Sequence, residues 1–82
     1  MKKIEWANII CSDPQILLGK PVVKGTRLSV EFILGLYAEA WTEEQILENY
    51  PSLTKEILLA VFAYTRECMS EEFLYPLSAE AT

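Results

Sequence analysis

The strongest constraint in this sequence is that its two longest helical segments are apolar on more than one face. In the first, Val30, Ile33, Leu34 and Tyr37 follow the i, i+3, i+4, i+7 spacing of an amphipathic helix, while Phe32 and Leu36 lie on another side. In the second, from about Lys55 to Met69, Ile57, Ala60, Val61, Tyr64 and Cys68 form one stripe, and Leu58, Phe62 and Met69 a second. Helices of this kind need burial on two sides. The chain has 82 residues, enough for one small domain and no second core. It is 51% apolar, and a domain of this size hides only about 60% of the surface its unfolded chain exposes. Hydrophobic surface is therefore left over. A second burial surface is expected, through a homodimer, a partner, or both.

The helix boundaries are marked by capping chemistry. Ser29 is a good N-cap, and Glu31 in the first turn suits the helix dipole. The first helix is expected to end near Ala40–Trp41. Thr42-Glu43-Glu44-Gln45 fits the capping box and opens a short helix with Ile46 and Leu47 on its apolar face. Tyr50-Pro51 stops it. Thr54 then caps the last long helix.

Residues 1–29 read as strand and turn. Asn8-Ile9-Ile10-Cys11 is a short β-prone run ended by Ser12-Asp13-Pro14. Gly19-Lys20-Pro21 punctuates the chain again, and Val22-Val23-Lys24 is a second extended run. Gly25-Thr26 is a turn, and Arg27-Leu28 continues extended. The expected architecture is mainly α, a homeodomain-like or helix-turn-helix three-helix domain with a small N-terminal β-hairpin element. Its parts are the β/turn element (1–29), the helical core (30–69) and a tail (70–77). Residues 78–82 are expected to be a mobile C-terminus.

Charge is segregated. Residues 1–30 carry a net of +3 and residues 31–82 a net of −8, giving −5 overall. An acidic helical half suits a basic partner, although solvated surface is the plain alternative. The basic N-terminal part is the one plausible phosphate surface, through Lys20, Lys24 and Arg27. The two later helices have helix-turn-helix spacing, yet the segment 43–69 has a net of −3. Its second helix would present Lys55, Glu56, Leu58 and Leu59 to base edges, which is a poor reading head.

Several chemistries are excluded. With no His there is no imidazole base and no His-containing zinc site. Cys11 and Cys68 are too few for a thiolate zinc cage and too far apart for a CxxC motif; both are expected in the core. Asp13 is the single Asp, so no convincing set of carboxylates offers itself to a catalytic metal. We expect no catalytic residues, no metal and no cofactor. The longest apolar run, Ile57 to Tyr64, is far short of a membrane span of about 20 residues. Lys2, Lys3 and Glu5 do not resemble a signal peptide. A soluble cytoplasmic protein without membrane contact is expected.

Lys20 to Arg27 is the most distinctive stretch. Pro21 stiffens it, Gly25 favours positive φ, and Thr26 can bond within the turn. Arg27 would project from this rigid base, either into a pair with a helix Glu or toward a ligand. The tail sets Phe73, Leu74 and Tyr75 after Glu71 and Glu72. It either folds back on its own domain or anchors a partner.

Two blocks together carry a resemblance. They are Gly19-Lys20-Pro21-Val22-Val23-Lys24-Gly25-Thr26-Arg27 and Tyr50-Pro51-Ser52-Leu53-Thr54. At this separation, and to about Leu77, the chain closely resembles the family catalogued as domain of unknown function 433 (DUF433). Leu18 departs from the pattern, which often has a second Gly there, and this bears on the local turn shape. The resemblance implies a homeodomain-like fold. It also implies a VapB-like antitoxin of a toxin–antitoxin pair, whose cognate partner is a PIN-like ribonuclease toxin. On that reading the chain is non-enzymatic and binds and neutralises the ribonuclease, with Glu71, Glu72, Phe73, Leu74 and Tyr75 as candidate contacts. The alternatives are a helix-turn-helix transcriptional autoregulator that binds operator DNA, and a small structural or interaction domain.

Overall fold

Local capping decides where each helix begins. The computed structural model describes residues 5–72, with side chains placed to Ser70. Helix α1 is Val30–Ala38, α2 is Glu43–Asn49 and α3 is Lys55–Glu72. The Ser29 hydroxyl accepts from the Phe32 N–H at 2.9 Å. At α2 the full capping box forms. Thr42 Oγ1 accepts from the Gln45 N–H, and Gln45 Oε1 accepts from the Thr42 N–H at 2.8 Å. Thr54 Oγ1 accepts from the Ile57 N–H at 3.2 Å. Three expected caps are therefore present, each satisfying a donor that a bare helix end leaves open.

The far ends differ from expectation. α1 stops at Ala38, because the chain reverses through Ala40 at φ +69°. The Trp41 N–H donates to the Leu36 carbonyl and the Ala40 N–H to the Tyr37 carbonyl. This is a Schellman closure with alanine where glycine is usual. α3 runs one turn past Met69 because nothing before Pro76 breaks it.

The N-terminal element is smaller than its β-prone residues imply. β1 is Ile10–Cys11 and β2 is Val22–Val23, paired antiparallel as Ile10 with Val23 and Cys11 with Val22. Asn8, the first residue of the expected run, closes a 3-10 turn, Trp6–Asn8, instead of joining the strand. After β2 the chain turns back at once, so that Val22 also bridges Ser29. Gly25, at φ +82°, holds the third position of that turn, where a type II turn demands a left-handed residue. Thr26 fixes it: its N–H and Oγ1 both donate to the Val23 carbonyl, and its Oγ1 accepts from the Leu28 N–H.

Sheet and helices share one core. Ile10, Val23, Ile33, Ile46, Leu58 and Val61 are all buried, drawn from five different elements. A two-stranded ribbon alone is marginal, so packing on the helices is what holds it. Cys68 is exposed and Cys11 half-buried. The expectation of two core cysteines fails at Cys68, because α3 projects past the core after about Tyr64.

Candidate functional site

One face of α1 forms the wall of an open apolar groove. The other wall is a 3-10 turn, Leu17–Gly19. The groove encloses about 620 Å³, with Leu17, Leu18, Phe32, Gly35 and Leu36 supplying most of its apolar surface. Lys20, Glu31 and Glu39 stand at its rim. The Lys20 ammonium donates to Glu31 Oε1 at 2.8 Å. This contact, and the attraction of the opposite charge, hold the Glu31 carboxyl below its ordinary value. The pair neutralises one end of the rim. Glu39 is left at the other end, followed along the chain by Glu43 and Glu44.

The groove gathers three local misfits. Leu17 and Leu18 adopt φ of +49° and +57°, a left-handed conformation that costs a side-chain-bearing residue about 1–2 kcal/mol. Leu18 is 94% exposed, so no packing offsets that cost. Gly35 lies inside α1, where glycine is about 1 kcal/mol worse than alanine. Nothing lies within 4 Å of where its Cβ would be, so sterics do not require glycine there. Its effect is to keep the groove floor open.

The residues expected from sequence are dispersed. Lys24 and Arg27 are exposed on the tight turn after β2. Arg27 makes no ion pair among the described residues, so the helix-Glu pairing is not formed there. Lys20 points instead to α1. Gly19, Pro21, Gly25 and Thr26 shape the turns. Gly19 has φ +84° and Pro21 accepts from the Val30 N–H through its carbonyl. Tyr50 packs edge-on to Phe32 at 5.6 Å and near Trp41 at 6.3 Å, bracing the groove wall where Pro51 ends α2. Glu71 and Glu72 occupy the last turn of α3, and Phe73, Leu74 and Tyr75 lie outside the described residues. Among the described residues, no three acidic or thiol groups cluster as metal ligands. No helix among them is long and apolar enough to cross a membrane.

The groove itself was not anticipated. Its one sequence signal was Leu17-Leu18, two large apolar residues set in a turn between Pro14 and Gly19.

These features define a small mainly helical domain of three helices, with a two-stranded antiparallel sheet at its N-terminal end. Known proteins make the class more specific. The chain belongs to the family described as "Protein of unknown function (DUF433)", whose model matches residues 10–65. It is similar to the crystal structure of a DUF433 member protein from Anabaena variabilis ATCC 29413. The TM-score is 0.72 at 26% identity, covering 78% of this chain and 63% of that one. It is also similar to "Uncharacterized protein y4eO" of Sinorhizobium fredii (strain NBRC 101917 / NGR234), with 44% identity over 49 residues. That match spans 60% of this chain and only 22% of the relative.

Proposed function

We propose that this chain is a non-enzymatic antitoxin that binds and neutralises a PIN-like ribonuclease through the groove on α1. One observation carries the reading: three residues that work against stability, Leu17, Leu18 and Gly35, line the same apolar groove. Departures from local preference persist where something other than stability selects them, and they cluster at functional sites. An exposed leucine beside an aromatic wall is suited to the centre of a protein interface. Glu39, the carboxylate at the groove rim left unpaired among the described residues, complements a basic, RNA-binding partner and would steer its approach. The ribonuclease class comes from the family resemblance. The tail contacts, Glu71 to Tyr75, remain part of this reading, as does a cytoplasmic setting.

The test is reconstitution with the ribonuclease purified from the native complex. RNase activity should be silent in the complex, appear once this chain is stripped away under denaturing conditions, and fall silent again when it is added back. A Gly35→Leu variant, which fills the groove, should fail to restore silence. Full activity in the presence of excess wild-type chain would defeat the proposal.

A second reading, as a DNA-binding autoregulator, is favoured by one observation. Lys24 and Arg27 are exposed on a rigid turn. Phosphate contacts there would give operator binding that weakens steeply with salt.

A further inference from the structure

The outward face of α3 carries a second apolar surface that the groove does not use. Leu59, Phe62 and Met69 are exposed by 46%, 41% and 68%, and Arg66 is exposed among them. Positions 59, 62, 66 and 69 follow the three-four spacing of a heptad seam. At 100° per residue they fall within an arc of about 80°. The core-facing side chains Ala60 and Val61 point the other way. Tyr37 of α1 borders the seam on one side, its ring 5.0 Å from that of Phe62. On the other side is the Trp6 turn, whose indole N–H donates to Glu67 Oε1 at 2.7 Å.

We infer that this seam binds a second copy of the chain, with the two α3 helices antiparallel about a two-fold axis near residue 64. The order of side chains selects both occupant and direction. An antiparallel pair sets Leu59 against Met69 of the second copy and Phe62 against its Arg66, twice over. The first contact is apolar. The second places a guanidinium over an aromatic face, a favourable cation–π arrangement. A parallel pair in register would oppose Arg66 to Arg66, a like-charge contact. At the centre the flanking residues are Ala63 and Thr65, so no like charges meet across the axis. The 18 residues of α3 span about 27 Å, enough for the whole set of contacts. The inference does not depend on the antitoxin reading.

The test is sedimentation equilibrium of the full chain over a wide concentration series, with circular dichroism to confirm folding. The wild type should approach twice 9.4 kDa. Leu59→Lys and Met69→Glu change exposed positions, and each alone should weaken dimerisation about tenfold or more by placing a charge in an apolar seam. The double variant should recover dimerisation, because each lysine then meets a glutamate of the other copy. A folded double variant that stays as weak as the single variants would overturn the register. Single variants that dimerise like the wild type would overturn the seam. A wild type that is monomeric throughout would overturn the second copy as occupant. Loss of the ribonuclease from these same variants would then assign the seam to that partner.

Discussion

Replacing Leu18 by glycine should make the domain more stable and a worse binder. Leu18 sits at φ +57° and is 94% exposed. Glycine relieves a left-handed cost of about 1–2 kcal/mol. It also gives the unfolded chain more freedom, which takes back about 0.5–1 kcal/mol. Almost no packing is lost. The net gain is about 0.5–1 kcal/mol, which in a domain of this size raises Tm by about 2–8 °C. Thermal and urea unfolding measure it directly. If Leu18 enters a partner at the groove, losing its burial costs about 1.5–3 kcal/mol, a fall of about 10-fold to 100-fold in affinity. Leu18→Ala separates the two effects, because it keeps the strained backbone and loses the side chain. Its stability should stay near wild type while its binding falls. A glycine variant with a lowered Tm would refute the account of strain. A raised Tm with undiminished ribonuclease binding would remove the groove from the proposed interface.

Four further changes test the structure. Gly35→Ala should stabilise α1 by about 1 kcal/mol, since its Cβ meets nothing within 4 Å, while the added methyl weakens partner binding. Gly25→Ala should destabilise by about 1–2 kcal/mol in urea unfolding, wholly through the backbone, because φ is +82° and the surrounding space is open. Thr42→Ala should cost about 1 kcal/mol by removing the α2 cap. Glu31 is depressed by Lys20 from its ordinary 4.5. Its contribution is therefore complete above that value and is lost as pH falls through the lower folded value. Glu31→Gln should flatten the stability profile in that acidic window, by a small amount that added salt also erases, since both groups are exposed.

The fold was legible wherever a single residue type settles a local geometry. Ser29, Thr42 and Thr54 announce helix starts because a hydroxyl satisfies a donor that the helix cannot. Gly25 announces its turn for the same kind of reason. Helix and strand ends were harder. Ala40 takes the left-handed position without being glycine, so the stop before Trp41 carries no residue signal. The strand begins at Ile10 rather than Asn8, where a 3-10 turn ends whose Trp6 packs edge-on to Tyr64 of α3, with ring centroids 4.8 Å apart. That contact joins residues far apart in the sequence and has no local trace. The excess of apolar surface was readable from composition, but its division into a groove and a seam was not. Phe32 and Phe62 both register as second-face residues, and only the packing of α1 on α3 tells which face each one occupies.

That packing also determines whether both surfaces can be filled at once. On α1, Phe32 and Tyr37 are five positions apart, about 140° around the helix. Tyr37 turns toward Phe62 of α3, so Phe32 and the groove face away from the seam. A dimer through α3 would leave two outward grooves, and if the proposed function holds, the expected assembly has two copies of this chain and two ribonucleases. Light scattering of the purified complex should give that stoichiometry. Leu59→Lys should split it into one-to-one units that still inhibit, because the groove is intact. Gly35→Leu should leave the dimer in place and release the ribonuclease. The two surfaces would not be independent if Gly35→Leu dissolved the dimer, since a groove on the far side of α1 has no contact through which to do so.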